Sequence, residues 1–250
     1  MKIIVCINHV PDTETKVKIG PDGKTIEPNG VNFMLNPYDE FAIEAGLRLK
    51  ESQPGSEVTA LSLGGDAHRE ALRKALAMGV DKAVLLKDAS VRDSSSIASA
   101  LADELRERAP ECVLFGKQSI DYYNEQLPGM VAQMLGFPSV SVVVKIEIQG
   151  QKVICEREIE GGHEVVETSF PVVLSAQKGL NEPRYPSLKG IMAAKSKPIE
   201  EKKPKDYPSF VEVLEMRKPP AKQPGRVVGT DAGAVPELVR LLREEAKVIS

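Results

Sequence analysis

The sequence predicts an α/β fold: a Rossmann-like, mostly parallel sheet with helices on both faces, antiparallel additions and an extended C-terminal arm. Three observations carry the prediction. Short β-branched runs alternate with helix-length amphipathic segments as far as residue 135. After Pro138 the chain turns β-rich, with short glycine turns and no intervening helix. After Pro183 prolines become frequent, in a segment that still carries Phe210, Val211, Val213, Leu214 and Met216.

The elements follow in chain order. Residues 2–7 read as a buried strand. Residues 17–19 and 25–27 are strand-like and flank Gly20-Pro21-Asp22-Gly23, a hairpin signal. A helix opens at Asn36-Pro37, with Asn36 as cap, Pro37 at the first turn, and Asp39 and Glu40 at the positive end of the dipole. Residues 58–63 form a strand, and Asp66 then caps a helix running to Met78, stopped by Gly79. A strand at 83–86, a helix over Ser94–Arg108, a strand at 112–115 and a helix at 125–135 complete the alternating part. Residues 139–148, 152–157, 164–168 and 172–175 are expected to be antiparallel additions. A last helix is expected at 235–247, and the arm before it is too apolar for a solvated tether, so it should pack on a partner surface.

Composition excludes several classes. The 250 residues carry 33 Lys and Arg against 36 Asp and Glu, so the net charge of -3 argues against nucleic-acid binding. No apolar run approaches the roughly 20 residues of a membrane span, so no membrane insertion is expected. The start MKIIVCINHV lacks the apolar core and cleavage site of a signal peptide, and a cytoplasmic protein is expected. Cys6, Cys112 and Cys155 are isolated and read as small buried hydrophobes. No metal-ligand spacing and no nucleophile–base pair is evident, so neither a metal site nor a catalytic residue is expected.

Ligands of open α/β sheets bind beyond the carboxyl ends of the strands, near the switch in strand order. The exits here are Cys6-Ile7-Asn8, Ser62-Leu63-Gly64-Gly65 and Gly116-Lys117-Gln118, with a helix start after Asp121. The free amides of that helix, near Asn124-Glu125-Gln126, suit a phosphate. These features describe a mononucleotide cleft, although ordinary turn chemistry accounts for the same glycines.

The segments KIIVCINHVPD, GVNFMLNPYDEFAIEAGLRLKE, ALAMGVDKAVLL, LFGKQSID and EREIEGGHEVVETSFPVVLSAQKGLNEPRYPSLKGIMAAKSK resemble the beta-subunit family of electron transfer flavoproteins. The likeness runs through nearly the whole chain. It implies a heterodimer whose alpha subunit holds the redox-active FAD, while beta shields it and binds AMP. Electrons would pass from dehydrogenases, of acyl-CoA type in fatty acid oxidation, to a quinone reductase. The family's AMP-binding positions match Cys6, Asn36, Pro37, Tyr38, Asp39 and Leu63, and the run Gly116, Lys117, Gln118, Ser119, Ile120, Asp121, Tyr122, Tyr123, Asn124, Glu125, Gln126 and Leu127. This chain is therefore expected to be an electron-carrier subunit and not an enzyme.

Tyr122 and Tyr123 stand where the family has small or acidic residues. They would stack on an adenine or fill space. Two such rings leave less room for a dinucleotide, so AMP is expected over a second FAD, which electron-bifurcating members hold there. The family's partner recognition loop corresponds to 183–197, with Arg184, Tyr185, Leu188, Ile191 and Met192 as docking residues. The resulting organisation is a nucleotide-binding domain at 1–182, the recognition loop at 183–197, and an arm with its helix at 198–250 on the alpha subunit. The alternatives are an electron-bifurcating variant with FAD in this subunit, or a stand-alone adenine-nucleotide-binding module.

Overall fold

The computed structural model describes residues 1–222 and 224–249. The chain divides into two units, Met1–Leu214 and Glu215–Ser250. The first contains, in order, β1 (Lys2–Cys6), β2 (His9–Pro11), β3 (Phe33–Leu35), α1 (Pro37–Ser52), β4 (Glu57–Gly64), α2 (His68–Met78), β5 (Lys82–Lys87), α3 (Ser94–Arg108), β6 (Cys112–Gly116), α4 (Gln126–Leu135), β7 (Ser139–Gln149), β8 (Lys152–Ile159), β9 (Gly162–Ser169), β10 (Val172–Ala176), α5 (Leu188–Ser196) and β11 (Ile199–Lys202). The second holds a 3-10 turn, Ala232–Ala234, and α6 (Val235–Glu244).

Nine strands form one sheet in the order β11-β5-β4-β1-β6-β10-β7-β8-β9. Pairing is parallel from β11 to β7 and antiparallel through β7-β8-β9. The strands β1, β6 and β10 are buried on both faces, as a parallel sheet requires. In β1, Ile3 and Val5 join one core with α1 and α2, while Ile4 and Cys6 join the other with α3 and α4. Gly46 of α1 lets that helix lie close on the sheet, since a Cβ there would meet Val5 and Leu114 at 3.2 and 3.3 Å.

Several expectations are corrected. The segment 172–175 is not an antiparallel addition: β10 lies inside the sheet, parallel to both β6 and β7. Its unbroken burial is the reason, because a strand without a polar face must be covered on both sides. The expected hairpin at 17–27 shrinks to an isolated bridge between Ile19 and Ile26. There two backbone bonds still join the arms, from the Gly20 amide to the Thr25 carbonyl and from the Glu27 amide to the Lys18 carbonyl, both at 2.8 Å, while Asp22 holds the turn by accepting the amides of Lys24 and Thr25, each at 3.0 Å. Asp66 does not cap α2, whose cap position is Ala67; its carboxylate instead meets Lys87 at 2.7 Å. The proline-rich segment is not uniformly extended, since it contains α5 and the edge strand β11. Ion pairs cover that edge, Glu200 to Arg108 at 2.9 Å and Lys202 to Glu104 at 3.1 Å. The last helix ends at Glu244, short of the expected 247.

Candidate functional site

The chain runs from β1 outward to β4 and β5, then returns to the other side of β1 as β6. Strand order therefore reverses at β1, and loops on its two sides diverge at the carboxyl ends. A cleft opens there. Its polar rim comes from Asn8, Asn36, Lys117, Gln118, Ser119, Asn124, Glu125 and Gln126. Its apolar walls are Leu61, Leu63, Ile97, Leu101, Phe115 and Leu127.

Asp39 braces the floor. One carboxylate oxygen accepts the Asn8 amide at 2.7 Å and the other the Gly116 amide at 3.1 Å. These amides lie at the exits of β1 and β6, so one side chain from α1 fixes the separation of the two lips. Gly116 has no room for a Cβ, because Asp39 and the Tyr38 backbone fill that space. Burial pushes the Asp39 carboxyl up to about 7, against the opposing hydrogen bonds from Asn8, Asn36 and Gly116. The neighbouring Cys6 thiol is pushed up by burial and by the Asp39 charge, which leaves it protonated and unreactive.

Asn36 occupies the cap position of α1 but makes no side-chain cap bond. Its amide group crosses the cleft instead, donating to the Gln118 carbonyl at 2.9 Å and accepting the Ile120 amide at 3.3 Å. Asn8 extends the same network, donating to the Ser119 hydroxyl at 3.0 Å and lying 3.3 Å from His68 Nε2. Burial and the neighbouring His9 hold the His68 imidazole down at about 4, so it is neutral near pH 7. At the far lip α4 begins after Glu125, which has left-handed backbone, and no side chain caps it. The amides of Gln126 and Leu127 therefore face the opening without an intrahelical acceptor, and Pro128 contributes none. Lys117 stands beside them, 3.4 Å from Glu125.

Of the residues expected at a nucleotide site, Cys6, Asn36, Asp39, Leu63, Gly116, Lys117, Gln118, Ser119, Asn124, Glu125, Gln126 and Leu127 line this cleft. Pro37, Tyr38, Ile120, Asp121, Tyr122 and Tyr123 do not. Tyr122 and Tyr123 are 64% and 60% exposed. Sequence reasoning missed Leu61, Ile97, Leu101, Phe115 and Pro128. The first four are apolar residues whose character equally suits the core, so nothing local marks them as cleft walls. Asn8 was visible as an exit residue, but nothing local marked its side chain.

The expected docking residues gather on and before α5. Ser187 caps this helix by accepting the Gly190 amide at 3.0 Å. Leu188 and Met192, one turn apart, are 83% and 66% exposed. Tyr185 and Ile191 are also exposed. Arg184 differs: its guanidinium is committed to Glu44 at 2.8 Å and Glu51 at 2.6 Å on α1. Among the described residues no cluster of His, Cys, Asp or Glu could hold a metal ion, and no helix is long and apolar enough to cross a membrane.

The electron transfer flavoprotein domain family matches residues 24–207. The chain is similar to an electron transfer flavoprotein subunit beta of Syntrophomonas wolfei, 41% identical over 225 residues, covering 90% of this chain and 88% of that one. It is 39% identical over 260 positions to the subunit beta of Bacillus subtilis, and 36% over 257 to the mitochondrial subunit beta of Oryza sativa subsp. japonica, both over the full length of each chain. Agreement of this extent reaches from β1 to α6 and takes in cleft and docking helix alike, and it places the chain in the electron transfer flavoprotein family, among the proteins named as its beta subunits.

Proposed function

We propose that this chain is the beta half of a heterodimeric electron carrier: it holds AMP in the cleft, while an alpha subunit carries the redox-active FAD. Dehydrogenases of acyl-CoA type dock on α5 within residues 183–197, and the electrons leave toward a quinone reductase. Residues 198–250 pack on the alpha subunit. The observation that carries the reading is the outward face of α5, where Leu188 and Met192 stand in water on a helix capped at its N-terminus. A short helix that spends its large side chains on solvent is built to meet a partner, and lysines around the apolar anchor favour rapid encounter.

The cleft supports AMP by the chemistry of its lining. The apolar walls suit a purine, and the uncapped first turn of α4 with Lys117 suits a phosphate. Co-expression with the alpha chain tests the reading. A yellow heterodimer that releases one AMP and one FAD on heating, identified by mass, is expected. A second FAD in place of AMP, or a colourless homodimer of this chain, overturns it. Leu188→Ala should slow flavin reduction by the dehydrogenase about tenfold or more without changing flavin content, as loss of a central anchor does. Unchanged stopped-flow traces would remove the docking role.

A further inference from the structure

Helix α5 is poorly supplied with the means to hold itself. Nine residues are too few for a stable isolated helix. Leu188 and Met192 point outward, Ile191 is partly covered beside Arg73 and Ala77, and Ala194 is the one buried residue of the helix. The inner face is Gly190 and Ala194, one turn apart, laid against α2, and a Cβ on Gly190 would meet the Ala77 carbonyl oxygen at 2.5 Å. Small residues permit that approach but bury little apolar surface, so hydrophobic contact contributes little to fixing α5.

The C-terminal end shows what replaces it. Arg73, on α2, donates from one guanidinium nitrogen to the carbonyls of Ala194 and Lys197, both at 2.5 Å. The Ala194 carbonyl is one of the last four of the helix and has no intrahelical donor. A positive group is also favoured at the negative end of the helix dipole. Lys197 then reaches the Val80 carbonyl at 2.8 Å, and β11 begins two residues on, at Ile199. The guanidinium thus closes the exit of α5 and the entry to the edge strand together.

We infer that Arg73 is a positioning residue for partner docking: by gripping the C-terminal carbonyls of α5 it holds Leu188 and Met192 in a preformed array. It lies outside the cleft lining. The role rests on reading α5 as the docking helix, so its test has a part that does not. Removing two charge-assisted hydrogen bonds should expose α5 to local opening.

Two measurements on the purified heterodimer decide it. The first is amide hydrogen exchange over residues 188–197 in wild type, Arg73→Lys and Arg73→Ala. Exchange is expected to be about 10- to 100-fold faster in Arg73→Ala, intermediate in Arg73→Lys, and unchanged in β1 and β6. Equal exchange of α5 in all three overturns the inference, whatever α5 docks. The second is flavin reduction by an acyl-CoA dehydrogenase against heterodimer concentration. Arg73→Ala should raise the half-saturating concentration several-fold and keep the limiting rate and the AMP and FAD content, with Arg73→Lys partly restoring it. If Leu188→Ala slows reduction and Arg73→Ala leaves the curve unchanged, positioning by Arg73 is refuted. If neither variant moves the curve, the docking reading of α5 is refuted and Arg73 loses its functional role with it.

Discussion

Asp39 shows how one side chain can set the shape of a site. It is buried, it has no cation partner among the described residues, and its oxygens are used by amides at the exits of β1 and β6. Its folded pKa of about 7 lies above the ordinary 3.8. Between those values the folded chain binds a proton that the unfolded chain has lost, so this group lowers stability as pH rises from about 4 to 7, and its cost is full above 7. Asp39→Asn should remove that slope from a pH series of denaturant midpoints. It should also weaken AMP binding, because the amide presents an N–H where one backbone donor needs an acceptor. A slope that survives the substitution would assign it to another group. The effect could not be read from the sequence, where Asp39 looks like an acidic residue placed for the helix dipole.

At the scale of elements, local signals worked where an element is defined by its own ends. Helix α3 has the bounds its sequence suggests, Ser94–Arg108. Asp93 accepts the Ser96 amide at 2.8 Å, Arg106 and Arg108 stand in the last turn, and Ala109 turns left-handed. Those contacts lie within four residues, which a reader of sequence can see. Strand β10 is the opposite case. Its residues announce a strand, but its neighbours β6 and β7 are chosen by packing. Since β10 holds the two halves of the sheet together, Leu174→Ala should cost about 2–5 kcal/mol in chemical unfolding, with a single transition retained. A loss near zero would show that the position is not packed as the core requires. Asn36 marks a similar boundary: its capping chemistry is evident from sequence, but its side chain is used across the cleft.

For the whole molecule, the division at Leu214 separates two kinds of chain. The first unit contains the complete sheet, both cores and the cleft. The second has no buried residue in α6, and its Val235, Leu238 and Val239 are exposed. A helix of that kind adds little to its own folding, and on the proposed reading its apolar face serves association. Truncation after Leu214 should therefore leave the far-ultraviolet circular dichroism of the sheet and a cooperative melt, while the yield of heterodimer on co-expression falls sharply. An unfolded 1–214 chain, or undiminished assembly, would contradict this.

The sequence by itself determined the kinds of elements, the α/β class, the strand exits that could receive a ligand, and the motifs shared with the electron transfer flavoprotein family. Tertiary structure alone decided that β10 is interior, that Tyr122 and Tyr123 face water, that Asp39 spans the exits of β1 and β6, and that Arg73 grips carbonyls more than 120 residues away. Periodicity and capping report what a segment does with its own backbone and which face it must hide. They carry no record of which distant surface will hide it, because that choice is made by packing among all elements at once.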